Sequence, residues 1–322
     1  MEKRQLGKSG IEITPIIMGT WQAGKKMWVG IEDSESIKAI RRAVELGINT
    51  IDTAEVYGDG HSERIVGEAI KDVRDKVVIA TKVFANHLKY HQVIEACNNS
   101  LKNLQTDYID LYQIHWPSGS WGTEVVPIEE TMRAMNKLKE EGKIRAIGVS
   151  NFSLSQLQQA CEYGQIDSIQ PPYSLFWRFV EKQIQPWCVE RGISILAYSP
   201  LAQGILTGKF GDNPTFAEGD HRKDNRLFQP PHWERVKKAL SQLRPYAEKY
   251  NCTLGQLAIA WVIHQPQTSA IVGARNAQQV EENAHAVDIK ITPEDLKAIS
   301  DIGEEVTRHL DDNPVMWDFK RG

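Results

Sequence analysis

Eight short apolar runs, separated by stretches of helical periodicity, restrict what this chain can fold into more than any other feature. The runs are Ile16–Gly19, Thr50–Asp52, Val77–Thr81, Ile109–His115, Ile144–Val149, Ser168–Gln170, Ile193–Tyr198 and Ala270–Val272. They are rich in β-branched residues and barely alternate, as strands buried on both faces do. Between them, Ser36–Leu46 sets Ile37, Ile40, Ala43 and Val44 on one helical face. Ser62–Ile70 does the same with Ile65, Val66, Ala69 and Ile70, and Val93–Leu104 with Ile94, Cys97, Leu101 and Leu104. Gly47, Gly142, Gly164 and Gly192 fall where helices should stop. Eight strands alternating with helices predict an α/β fold, a closed parallel (β/α)8 TIM barrel, rather than an open sheet.

Three additions to the barrel are expected. Lys3–Met18 alternates about Lys8-Ser9-Gly10 and reads as an N-terminal β-hairpin. A long loop from Leu201 to Pro231 precedes an additional helix, Trp233–Lys249, and a second additional helix spans Glu294–Ile302 before a tail with Trp317 and Phe319. Long loops after barrel strands usually carry function, so these are expected to shape the substrate side. No linker or low-complexity tract interrupts the 322 residues, and a single domain over 1–322 is the expectation.

The chain has 38 Lys and Arg against 42 Asp and Glu, a formal charge of −4, so no global field would recruit nucleic acid or anionic lipid. The opening Met1-Glu2-Lys3-Arg4-Gln5 leads into no apolar stretch that would serve as a signal peptide. The longest apolar run, Leu257–Ile263, is too short to cross a bilayer. Four scattered cysteines (Cys97, Cys161, Cys188, Cys252) form no metal or redox motif and read as reduced thiols. A cytoplasmic protein, monomeric or weakly homo-oligomeric, without nucleic-acid or membrane partners, is expected.

Two glycine motifs imitate phosphate loops. Gly19–Lys25 has the glycine and lysine spacing of a P-loop, but Lys26 stands where a magnesium-binding Ser or Thr is needed; Gly204–Lys209 is one residue short. No Gly-x-Gly-x-x-Gly follows a strand, which leaves a doubly wound dinucleotide fold unsupported.

In a barrel, the carboxyl ends of the strands open on one face. Here Asp52, Lys82 and His115 end successive strands, and Tyr57 follows Asp52 in its loop. Taken singly, a loop Tyr is more often packing, a strand His a core residue and a strand-end Asp a helix cap. A Lys closing an apolar strand is harder to excuse, because an unpaired buried ammonium is costly. Together the four form a proton-donating group. Asp52 would pair with Lys82, Lys82 would lower the Tyr57 phenol, and His115 would orient a substrate oxygen. Such a group suits a carbonyl that gains a hydride on carbon and a proton on oxygen, and it needs no metal.

Gly19-Thr20-Trp21, Gly47–Gly58 with Asp52-Thr53-Ala54-Glu55-Val56-Tyr57, Thr81-Lys82, Asp107–Leu111, His115-Trp116-Pro117, Gly142–Phe152 and Tyr198–Gly204 are specific in kind and order. With them the sequence resembles the aldo-keto reductases over essentially its whole length. It is nearest the bacterial branch that includes general-stress reductases and potassium-channel β subunits. The resemblance implies an oxidoreductase that reduces aldehydes and ketones, with Asp52, Tyr57, Lys82 and His115 as catalytic tetrad and Tyr57 as proton donor. It implies NADPH as cofactor, with NADH a weaker alternative.

The same resemblance assigns the cofactor contacts. Ser150, Asn151 and Gln170 would hold the nicotinamide carboxamide and Tyr198 would stack on the ring. Ser199, Pro200, Leu201, Gln203 and Gly204 would meet the pyrophosphate, and Gly19, Thr20, Trp21 and Asp52 would border the nicotinamide end. Gly273, Arg275, Gln279, Glu282 and Asn283 would take the adenosine, with Arg275 gripping a 2′-phosphate through its planar fork. Many family members carry lysine and serine where this chain has Gly273 and Ala274. That leaves Arg275 to supply the charge, aided by Lys209 or Arg222. Trp21, Tyr57, His115 and Trp116 would line the substrate pocket, with Trp28, Trp121 and Trp317 at its rim. Two rival readings exist: a nicotinamide-binding regulatory subunit, and a barrel glycosidase using Asp52 and Glu55, which would leave Lys82 and Tyr57 unexplained.

Overall fold

The computed structural model describes residues 1–26 and 28–317; Phe319 lies outside them. A two-stranded antiparallel hairpin, β1 (Arg4–Gln5) and β2 (Glu12–Ile13), comes first. Eight strands follow: β3 (Ile16–Gly19), β4 (Thr50–Asp52), β5 (Val78–Val83), β6 (Ile109–Ile114), β7 (Ile144–Ser150), β8 (Ser168–Gln170), β9 (Ser194–Ala197) and β10 (Thr268–Gly273). Each pairs in parallel with its neighbours, and β10 closes on β3 through Gly273 opposite Gly19, so the sheet is a closed barrel.

Eight helices form the outer ring: α1 (Asp33–Glu45), α2 (His61–Ile70), α3 (Tyr90–Leu104), α4 (Ile128–Glu140), α5 (Leu154–Glu162), α6 (Ile184–Arg191), α8 (Leu254–Ile263) and α9 (Ala277–Ala284). The two additional helices are α7 (His232–Lys249) and α10 (Pro293–Thr307), which pack on one another. The expected (β/α)8 barrel, hairpin and extra helices are all present.

Side-chain parity divides the interior into layers. Ile17, Val78, Ala80, Leu111, Ala146, Leu196 and Ile271 fill the middle, and Leu6, Ile11 and Ile13 of the hairpin segment close it from below. Nearer the carboxyl ends the interior turns polar at Lys82, Gln113 and Gln170, with Asp52 beside them. The larger apolar cluster lies between the barrel and its helices.

Helical faces depart slightly from expectation. In α1 the buried residues are Ser36, Ala39, Ile40 and Ala43, and in α3 they are Val93, Ala96, Cys97, Ser100 and Leu104. Ile37, Val44, Ile94 and Leu101 lie at the margins. Small residues make up much of these faces, where α1 packs on α2 and α9, and α3 on α2 and α4.

Candidate active site

All eight barrel strands deliver a predicted site residue at or next to their carboxyl ends: Gly19, Asp52, Lys82, His115, Ser150, Gln170, Tyr198 and Gly273. Lys82 lies inside β5 rather than just beyond it, because β5 continues to pair with β6 as far as Val83 opposite Ile114. Parity with Val78 and Ala80 then points its ammonium into the barrel, where it is fully buried.

That burial is compensated by three oxygens. Lys82 Nζ donates to Asp52 Oδ1 at 2.6 Å, to the Thr53 carbonyl at 2.8 Å and to the Tyr57 hydroxyl at 3.2 Å. Burial opposes the charge, but Asp52 and Tyr57 hold the ammonium above its ordinary pKa. The other Asp52 oxygen accepts from Gln170 Nε2 at 2.9 Å and Gln113 Nε2 at 3.3 Å, and Gln170 also donates to Gln113 Oε1.

Tyr57 is held by its loop: its amide donates to the Ala54 carbonyl, and its carbonyl accepts from Ser62 at the start of α2. Burial pushes its phenol above the ordinary value, and the opposing pull of Lys82 does not overcome this. The expectation of a phenol lowered toward neutral pH is therefore corrected. The pocket is too dry for one ammonium, already shared with Asp52, to favour phenolate.

The His115 ring stands edge-on to Tyr57, with centroids 5.8 Å apart, and to Phe84 at 5.5 Å. Burial and Lys82 push its pKa well below the usual value, so it is a neutral imidazole; its buried Nδ1 has no hydrogen-bond partner among the described residues. Two aromatic groups flank this face. Trp21 contacts Trp28 at 5.3 Å and His221 at 4.7 Å. On the other side Trp116 packs with Ala85 and Val315, joined by Phe84 and Trp317, and Trp121 meets Trp116 edge-on at 5.1 Å.

The predicted nicotinamide contacts already form a network. Tyr198 donates to Asn151 Oδ1 at 2.8 Å, Asn151 Nδ2 to the His115 carbonyl at 3.1 Å, and Ser150 Oγ to the Gln170 carbonyl at 2.8 Å. After β9 the chain Ser199-Pro200-Leu201-Ala202-Gln203-Gly204 takes left-handed backbone at Ser199, Ala202, Gln203 and Gly204. The amides of Ala202 and Gly204 are bonded, whereas those of Ser199, Leu201 and Gln203 donate to no described residue. That arrangement suits an anion.

Lys209 lies beside Gly204, where a Cβ would come within 3.3 Å of its Nζ. Its pKa is lowered by burial and by Arg222 and Arg275, so three cations share this side. Arg222 is forked onto Asp220 at 2.9 and 2.5 Å and draws that carboxyl down to about 2, which offsets much of its own charge. Arg275 lies over the Trp28 ring at 5.5 Å, and its amide donates to Gln279 Oε1. Asn283 Nδ2 donates to the Gly273 carbonyl, and Glu282 accepts from Gln278. Thr20 ties to the Asp52 carbonyl.

Sequence reasoning missed Gln22, Gln113, Phe84 and His221. Only Gln113 left a signal, its parity with the inward Leu111. Glu55, the other glycosidase candidate, is occupied by the Phe84 amide at 2.7 Å and His87 at 2.9 Å. A cavity of about 330 Å³ at the opposite barrel end, around Gly7, Ser194 and Gln267, holds none of the predicted residues. No group of side chains suited to a metal ion occurs among the described residues.

The family model for the aldo/keto reductase family matches residues 15–304. The chain is 41% identical to aldo-keto reductase YhdN of Bacillus subtilis over 94% of both chains. It is 35% identical to the NADH-specific methylglyoxal reductase of Escherichia coli over 96% of this chain and all of that one. An aldo/keto reductase from Klebsiella pneumoniae, solved with NADP and acetate, superposes with a TM-score of 0.75 at 31% identity over 99% of each chain. With its closed eight-stranded barrel and a family match over residues 15–304, this chain belongs to the aldo/keto reductase family.

Proposed function

We propose that the protein is a single-domain carbonyl reductase that uses NADPH, with NADH as a weaker alternative, to convert aldehydes and ketones to alcohols. The observation that carries this reading is the buried Lys82 ammonium shared between Asp52 and the Tyr57 hydroxyl beside a neutral His115. Relatives that are reductases and a homologous structure holding NADP support it.

The donor set fits a dinucleotide: open backbone amides for a pyrophosphate, and Lys209 and Arg275 for a 2′-phosphate. Ser150, Asn151, Gln170 and Tyr198 would hold the nicotinamide, with Gly19, Thr20, Trp21 and Asp52 around it. Ser199, Pro200, Leu201, Gln203 and Gly204 would take the pyrophosphate, and Gly273, Arg275, Gln279, Glu282 and Asn283 the adenosine. When bound, the reduced nicotinamide supplies a hydride to the carbonyl carbon.

The chain's own part is to bind, orient and protonate. His115, neutral, offers one N–H to the carbonyl oxygen and fixes its direction toward Tyr57. Tyr57 keeps its proton through burial and gives it to that oxygen as negative charge develops. Lys82 stabilises the resulting phenolate, and Asp52 with Gln113 and Gln170 holds Lys82 in place. Trp21 and Trp116 exclude water and bind the apolar part of a small-molecule substrate.

The reading includes a cytoplasmic protein, monomeric or weakly associated, without nucleic-acid partners; no described helix is long and apolar enough to cross a membrane. A panel of aldehydes and ketones, followed by loss of nicotinamide absorbance with NADPH and NADH in parallel, tests it. Absence of turnover with every carbonyl and both cofactors would overturn it.

A further inference from the structure

Gln22 is a buried polar residue in the turn Trp21–Gly24 that neither the sequence motifs nor the proposed reaction uses. Its Nε2 donates to the Gly19 carbonyl at 3.0 Å and to the Ala274 carbonyl at 2.7 Å. Gly19 ends β3 and Ala274 follows β10, so one amide fastens the two strands just beyond Gly19 opposite Gly273, their last paired residues. On one side of this clasp is Trp21 and on the other Arg275.

The side chain also fills the space beside Gly273. A Cβ there would lie 3.0 Å from Gln22 Oε1 and 3.6 Å from its Cδ. Because the amide is bonded to two carbonyls, the few tenths of an ångström it would have to give come at the expense of those bonds. Gly273 and Gln22 therefore fit as a pair, and a larger residue at 273 would displace the clasp.

We propose that Gln22 is a positioning residue for recognition of the nucleotide's 2′-phosphate. By pinning the Ala274 carbonyl it fixes the peptide that carries Arg275, and so sets where the guanidinium meets the phosphate. This rests on the nucleotide-binding reading above. The effect acts through Arg275, so it falls on ligands with a 2′-phosphate and spares those without one. A merely structural role would weaken both alike.

The test is tryptophan-fluorescence titration of the full chain with NADPH, NADH and 2′,5′-ADP, which carries the phosphate without nicotinamide. Gln22→Leu removes the clasp at similar volume; loss of a hydrogen bond predicts about three- to tenfold weaker NADPH and 2′,5′-ADP. NADH should change by less than about twofold, since it presents no charge to Arg275. Gly273→Ala should shift the same ratio in the native chain and have no such effect in a Gln22→Ala background. Should Gln22→Leu fail to fold, the Gly273→Ala pair carries the test alone. Equal losses for both dinucleotides, or additive effects of Gly273→Ala and Gln22→Ala, overturn the proposal while leaving the reductase reading intact. If none of the three ligands binds the native chain, that reading fails, and the proposal with it.

Discussion

Gly24 rests directly on the backbone of Tyr57: a Cβ at Gly24 would lie 2.6 Å from the Tyr57 carbonyl carbon, and one at Gly58 would lie 2.2 Å from the Gly24 oxygen. The turn bearing Trp21 and the loop bearing Tyr57 thus touch at two glycines, with no side chain between them to yield. Gly24→Ala must push the Tyr57 peptide aside. Displacement of a reacting group by about an ångström can cost on the order of 100-fold. The expected outcome is a large fall in carbonyl-reduction kcat with NADPH affinity changed little; an unchanged kcat would show that the loop absorbs the extra carbon harmlessly.

Tyr57→Phe keeps the ring that packs against His115 and removes only the hydroxyl. General acid catalysis is worth roughly 100- to 10,000-fold, and reduction should fall by that amount while nucleotide binding holds. Steady-state rates with fluorescence titration decide it. A variant keeping more than about a tenth of the rate would not have lost its acid.

The raised Tyr57 phenol gives the pH profile its sign. Reduction needs the protonated form, so its rate should stay level through neutrality and decline only above the ordinary phenol value of about 10. Alcohol oxidation needs the phenolate and should climb with pH over the same alkaline range. Lys82→Met removes the one positive charge that draws the phenol down, and moves the oxidation limb to still higher pH. It also strands the buried Asp52, at about 3–5 kcal/mol if the carboxylate stays charged. Oxidation profiles of the two proteins, superimposable after scaling, would limit Lys82 to positioning.

His115 is held neutral by burial and by Lys82. Its folded pKa lies below the unfolded value of about 6.5, so below that pH the unfolded chain binds the extra proton. Its contribution to the pH dependence is nil above about 6.5 and destabilising as pH falls from there. His115→Gln should flatten the urea-denaturation stability curve between pH 6.5 and 5, in the sense that acid costs the variant less. Equal slopes would mean that other groups govern acid stability.

Arg275 sits exposed over Trp28, near Lys209 and apart from the tetrad. Arg275→Ala should weaken NADPH far more than NADH, because only NADPH offers a phosphate to the guanidinium. Arg222→Ala should weaken NADPH less, since Asp220 already takes that fork. Calorimetric titration of both variants with both cofactors checks the order, and a larger loss at Arg222 would reverse it.

The barrel was legible in the sequence because strand and helix periodicity are local. The run Ile144–Val149 and the helix Ser62–Ile70, for example, needed no knowledge of their neighbours. The tetrad was legible because a lysine closing an apolar strand demands a partner, and Asp52 ends the preceding strand with Tyr57 in the loop after it. Tertiary structure decided what depends on closure and dielectric. It buried Ala39, which periodicity had left out, and moved Ile37 and Val44 to the margin of α1, where that helix packs on α2 and α9. It turned the expected low phenol into a raised one, because burial outweighs a single shared ammonium. It brought Gln22 to Ala274 across 252 positions. Strand order and residue type are written along the chain; desolvation and contacts between distant loops arise only when the barrel closes.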